Sequence, residues 1–133
     1  MKDCIFCKIV NGDIPSMKVY EDEFTLAFMD IAADVDGHLC VIPKAHFESI
    51  LDCDNETLTH LMNAVKSISE HLTQNCGYEG VNILNASGKA ADQSVLHFHI
   101  HIIPRKTNDC LDTWPKLPGA KEEIKAVFER IKM

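Results

Sequence analysis

Between Asn55 and Leu72 the chain places Leu58, Leu61, Met62, Val65, Ile68 and Leu72 at spacings of three and four. That repeat puts them on one stripe and predicts an amphipathic helix over 55–72. Asp54 or Asn55 suits its N-terminal cap, and Gly77 follows its end. A second amphipathic helix is predicted over 120–132, with Ile124, Val127, Phe128 and Ile131 on one side. Lys18–Glu21 and Phe24–Met29 read as two strands joined by a tight acidic turn. His38–Ile42 is an apolar, β-branched run stopped by Pro43, in the manner of a buried central strand. Gly80–Asn85 and Ser94–Ile103 read as further strands, the latter ended by Pro104, with a polar loop between them. Ile5–Val10, closed by the turn pair Asn11-Gly12, fits either a helical turn or a strand. There is no internal repeat or linker, so residues 1–133 are expected to form one domain. Its strands are neighbours rather than strictly alternating with helices, which predicts an α+β fold on an antiparallel sheet.

The strand 94–103 carries His97-Phe98-His99-Ile100-His101. Side chains on a strand alternate faces, so the three imidazoles share one face at a spacing of about 7 Å. Phe98, Ile100 and Ile102 take the other and belong in the core. Residues two apart on a strand chelate one metal less readily than an i, i+4 helical pair. Neutral imidazole is a nucleophile and general acid–base near pH 7, and phosphoryl transfer needs several groups around one phosphorus. An attacking histidine must stay neutral, and its other nitrogen then needs an acceptor, for which a backbone carbonyl serves.

The run His97–Ile103 resembles the signature of the histidine triad family. Ile5-Phe6-Cys7-Lys8-Ile9, Phe28-Met29-Asp30-Ile31, His38-Leu39-Cys40-Val41-Ile42-Pro43-Lys44-Ala45-His46 and Gln93-Ser94-Val95 fit the same pattern. The match runs from about Cys4 to Arg105, with a tail over 106–133, and is similar to the bacterial nucleotide-phosphoramidase branch. The resemblance implies a five-stranded antiparallel sheet with two helices, pairing with a second copy into a continuous sheet. It implies hydrolysis of nucleoside 5′-phosphoramidates or aminoacyl-adenylates at the α-phosphate through a nucleotidyl-histidine. In that scheme His99 attacks, His101 binds phosphate and assists the leaving group, and His38 buttresses the pair. Asn85, Gln93 and Ser94 hold phosphate and leaving-group oxygens. Asp30 takes the ribose hydroxyls, with Phe6, Phe28 and Ile31 flanking a purine base. The rivals are a dinucleoside polyphosphate hydrolase, a non-catalytic nucleotide-binding regulatory module, and a zinc-dependent interaction protein.

Composition narrows this picture. The 133 residues are 46% apolar with a formal net charge of -7. An acidic chain repels nucleic acid and anionic membrane at long range, so neither is expected as a partner. No run approaches the ~18 apolar residues of a membrane span. Met1-Lys2-Asp3-Cys4 shows no apolar signal segment, which leads to the expectation of a reducing, cytoplasmic setting for the six cysteines. Cys4-x-x-Cys7 has the spacing of half a tetrahedral zinc site; a redox pair would call for a βαβ context, and inert thiols are the remaining reading. The resemblance implies a structural zinc completed by His46 and His97. One departure stands out: a glycine commonly precedes Gln-Ser in this branch, and here Asp92 takes its place. Trp114, between Thr113 and Pro115, is expected either to cover the cleft or partner, or merely to anchor the tail.

Overall fold

The computed structural model describes residues 3–32, 34–112 and 114–133. Five strands, β1 (Lys18–Glu21), β2 (Thr25–Met29), β3 (Leu39–Pro43), β4 (Gly80–Leu84) and β5 (Ile100–Arg105), form one sheet in the order β1-β2-β3-β5-β4. Every neighbouring pair is antiparallel. Among the described residues three α-helices accompany them, α1 (Ile5–Val10), α2 (Asn55–Asn75) and α3 (Ile124–Ile131), with a single 3-10 turn at Lys89–Ala91.

Alternation along the strands sorts the core into two layers. Ala27, Leu39, Val41, Ile100 and Ile102 face α2 and pack with Leu61, Ala64, Val65, Ile68 and Leu72. Leu26, Phe28, Cys40 and Ile42 face the other way, onto Phe6 and Ile9 of α1. The triad face of β5 is therefore the α1 face. Phe98 lies fully buried on the α2 side, as its place between the histidines requires.

The long helix forms as its apolar stripe predicts. Asp54 caps it by accepting from the Thr57 amide at 2.7 Å. It runs a turn further than expected, to Asn75, with Gly77 at positive φ just beyond.

The larger further differences from expectation lie in β5 and the C-terminal helix. Residues 94–99 are not paired in the sheet, and β5 begins at Ile100. It also continues through Pro104 to Arg105. Its pairing with β3 stops at Leu39↔Ile102, so beyond that point β5 has β4 alone as neighbour. A residue without an N–H is tolerated in such a half-paired stretch. The C-terminal helix, α3, starts at Ile124 rather than 120 and buries none of its residues. Its apolar side, with Ile124, Phe128 and Ile131, is exposed.

Gly37 aims the chain into β3. Its φ is +84°, and an added Cβ would meet Pro104 Cγ at 2.9 Å and Tyr78 Oη at 3.0 Å. Only glycine fits where both the dihedral and the space exclude a side chain.

Candidate active site

The three triad rings are buried to different degrees and for different ends. His97 has no exposed surface and His99 is 4% exposed. Nδ1 of His99 lies 2.7 Å from the carbonyl oxygen of His97. A carbonyl only accepts, so Nδ1 carries a proton, and in the neutral tautomer Nε2 holds the lone pair. Phe6 stands edge-on to His99 at 5.2 Å between ring centres and to Phe28 at 5.5 Å. These contacts fix the plane of the His99 ring. Asn85 donates from Nδ2 to the His99 carbonyl at 2.9 Å, so it braces the backbone that carries the ring.

A second chain of bonds orders His101. Asp34 Oδ1 is 2.8 Å from His38 Nδ1, and His38 Nε2 is 2.9 Å from His101 Nδ1. The hydrogen bond from His38 holds the Asp34 carboxyl below the usual carboxylate range. An ionised carboxylate only accepts, so His38 donates from Nδ1. In the neutral tautomer His38 then accepts at Nε2, which makes His101 Nδ1 the donor and leaves His101 Nε2 as a lone pair. Burial, then the neighbouring His99 and His38 rings, push His101 below the ordinary imidazole value. His101 is thereby favoured as neutral near pH 7. Asp34 has no counterpart among the residues singled out from sequence; the Asp-x-x-x-His spacing ahead of β3 was the available signal.

Asp30 follows β2, and its amide donates to the His38 carbonyl at 2.9 Å. Its Oδ1 accepts from Ala32 N, and its Oδ2 lies 3.6 Å from His38 Nε2. Phe28 is buried, and Ile31 is exposed at the surface. A cleft of ≈ 380 Å³ opens against His38 and His101, walled by Asp34, Val35, Leu84 and Asp112.

The Gln93-Ser94 segment is anchored by its own bonds. Gln93 Oε1 accepts from Gly88 N, and its Nε2 donates to the Glu48 and Val95 carbonyls. The amide thus stitches the loop 88–95 to residue 48. Ser94 lies in a cleft of ≈ 590 Å³ beside Cys4, His46 and Glu48. Asp92 is exposed, with φ +61°, the left-handed region where glycine is at ease and aspartate is tolerated. Trp114 is 73% exposed.

Cys4, Cys7, His46 and His97 converge with their ligand atoms within 4.8 Å of one another. Cys4 Sγ–His97 Nδ1 is 3.4 Å, Cys7 Sγ–His46 Nδ1 is 3.3 Å, and the two Nδ1 atoms are 3.2 Å apart. A tetrahedral zinc with bonds of about 2.0–2.3 Å needs separations of about 3.3–3.7 Å between such atoms. His97 Nε2, 2.8 Å from the Pro43 carbonyl, is held as the protonated nitrogen, so Nδ1 points its lone pair into the cluster. Burial drives the His97 ring down to about 4, which keeps it in the neutral form that binds metal. The donor set fits zinc.

The HIT domain model matches residues 11–108. The chain belongs to the HIT family. Protein hit of Bacillus subtilis is 48% identical over 104 residues, 78% of this chain and 72% of that protein. Adenosine 5′-monophosphoramidase hnt1 of Schizosaccharomyces pombe is 42% identical over 130 residues, 96% of this chain and 95% of that one. A crystal structure of a Zn-bound histidine triad family protein from Mycobacterium smegmatis has a TM-score of 0.80 at 37% identity, over 84% of this chain and 81% of that one. The family resemblance carried by His97–His101 and the five-stranded antiparallel HIT fold both hold. The family match begins after Cys4 and Cys7. Among the described residues of this HIT protein, no helix is long and apolar enough to cross a membrane.

Proposed function

We propose that this HIT protein hydrolyses nucleoside 5′-phosphoramidates or related adenylylated compounds at the α-phosphate, with His99 as the nucleophile. The observation that carries the reading is the bond from His99 Nδ1 to the His97 carbonyl, which places the proton of the neutral tautomer on Nδ1 and so orients the Nε2 lone pair of a buried ring. The relative named adenosine 5′-monophosphoramidase, 42% identical over 130 residues, supports the choice of substrate.

His99 Nε2 forms a bond to the α-phosphorus as the bond to the leaving nitrogen breaks, and that nitrogen takes up a proton from solvent water, which the hydrolytic step later returns through His101. Water then attacks the same phosphorus. His101 Nε2 accepts one of its protons, the P–N bond to His99 breaks, and the nucleoside monophosphate departs. The Asp34–His38–His101 chain keeps the accepting nitrogen in place throughout. Asp30 takes the ribose hydroxyls, and Phe6, Phe28 and Ile31 flank the base. Ser94 serves the leaving group, whereas Asn85 and Gln93 act by bracing His99 and the loop.

Zinc held by Cys4, Cys7, His46 and His97 would tie α1 to the triad segment, as a structural ion. A second copy would pair along β4, the sheet edge next to α2. There Met62 is 42% and Ile83 47% exposed over a groove of ≈ 350 Å³.

Turnover tests the reading. Adenosine 5′-phosphoramidate should yield adenosine monophosphate and ammonia faster than diadenosine tetraphosphate is cleaved. The reverse preference would move the protein to the polyphosphate hydrolases.

A further inference from the structure

A second four-residue group lies beside the triad, on the β3 side of His101. Asp30 follows β2, His38 precedes β3, and Cys40 in β3 is the direct cross-strand partner of His101 in β5. Their ligand atoms also lie within 4.8 Å of one another. His38 Nε2–His101 Nδ1 is 2.9 Å, His38 Nε2–Asp30 Oδ2 is 3.6 Å, Cys40 Sγ–Asp30 Oδ2 is 3.6 Å, and Cys40 Sγ–His101 Nδ1 is 3.8 Å. A tetrahedral ion with metal–nitrogen and metal–oxygen bonds of about 2.0–2.2 Å and a metal–sulfur bond of about 2.3 Å separates its ligands by about 3.3–3.7 Å. The observed distances bracket that range, so small side-chain rotations suffice.

We propose that Asp30, His38, Cys40 and His101 form a second metal site, for a thiophilic divalent cation such as zinc, cobalt or cadmium, separate from the Cys4–Cys7–His46–His97 group. Two imidazoles, a thiolate and a carboxylate make a borderline-soft set suited to such ions rather than to magnesium or calcium. The outer shell is in place as well. Asp34 accepts from His38 Nδ1, the carboxylate–histidine arrangement that orients a ligating ring and raises its basicity. Cys40 is 3% exposed and His38 7%, so the ion would be screened from bulk water on two sides.

Occupation would switch the active site off. The Cys40 S–H bond breaks, a metal–sulfur bond forms, and the proton leaves to solvent. His101 must give its Nδ1 lone pair to the ion, so its ring proton moves to Nε2. The nitrogen that accepts a proton from water then carries one already, and Asp30 is withdrawn from the ribose. This inhibition rests on the proposed function; the binding does not.

The test is metal stoichiometry on the whole protein. Equilibrium dialysis against cobalt should load about two ions per chain in the parent and about one in Cys40→Val. Cys40→Ser serves as a second variant, and retention of the first ion shows that either one has folded. Adenosine monophosphate should displace only the second ion. Added zinc should inhibit the parent at least about tenfold more strongly than Cys40→Val, whose turnover without added metal stays at the parental level. Two ions in Cys40→Val, or a single ion in the parent, overturns the site. Two ions in the parent without inhibition upholds the site and counts instead against the role of His101 in hydrolysis.

Discussion

Nδ1 of His99 donates to the carbonyl oxygen of His97, across 2.7 Å and within a single tripeptide. The same residue that offers this carbonyl turns its own ring to the Cys4–Cys7 cluster. The tautomer of the proposed nucleophile and one ligand of the proposed metal site thus both depend on one residue. Removing the ring while keeping the backbone separates binding from chemistry. His99→Asn should lower turnover of adenosine 5′-phosphoramidate by about 10³-fold or more while adenosine monophosphate still binds within a few-fold of the parent. Parallel loss of binding and turnover would make His99 a mere wall of the pocket.

Asp34 acts through His38. Asp34→Asn leaves the size of the side chain but removes the acceptor-only partner that forces His38 to donate from Nδ1. We expect kcat to fall about tenfold with KM little changed, and the kcat–pH profile to shift. Asp34→Glu should recover part of the loss. An unaltered profile would make the contact incidental.

Metal at the Cys4–Cys7 cluster would tie the first helix to the triad segment. Cys7→Ser should lose that ion and give up at least about 3 kcal/mol of stability, a fall of roughly 10 °C in Tm. The same melting temperature with the ion gone would mean that the cluster is held by packing alone. Burial raises the Cys7 thiol, so metal loading should proceed more readily as pH rises.

Asp92 holds a left-handed backbone that glycine adopts freely. Asp92→Gly relieves that strain but loosens the unfolded chain, so stability should change by less than about 1 kcal/mol. Removing the carboxylate should tighten adenosine monophosphate binding about threefold at low salt and less at high salt. Affinity unchanged at every ionic strength would show that the side chain is turned away from the ligand.

Arg105 clamps Asp109 with Nε and Nη2 at 2.8 and 2.9 Å, and Nη2 also reaches the Leu111 carbonyl. The guanidinium holds the Asp109 carboxyl well below the usual carboxylate range. A depressed folded value means that the contribution is complete above the unfolded value near 4 and is lost as pH falls below it. Asp109→Asn should therefore melt lower at pH 7 and converge with the parent toward pH 2. A constant gap across that range would contradict the assignment.

What the sequence disclosed follows from which forces are local. The stripe Leu58–Leu72 and the alternation His97–Ile102 are periodic, and periodicity survives without knowledge of any partner. The start of β5 at Ile100 and its passage through Pro104 depend on where β3 stops pairing, which no stretch of β5 records. Cys40 reads as one more small apolar residue in a buried run. Only its cross-strand register places its sulfur against His101. Asp34 reads as one more loop carboxylate, and only the folded chain sets it against the His38 ring, where it remains half-exposed. The exposed apolar side of α3 was legible as a stripe, but a stripe does not name what it packs against.

The central claim is a covalent bond between one ring and a nucleotide. The most direct measurement is mass spectrometry of protein quenched in acid-free conditions during turnover of adenosine 5′-phosphoramidate. The account predicts an adenylyl adduct on the peptide carrying His97–His101, localised to His99 and absent from His99→Asn. An adduct on another residue, or burst-free turnover by His99→Asn at the parental rate, would contradict it.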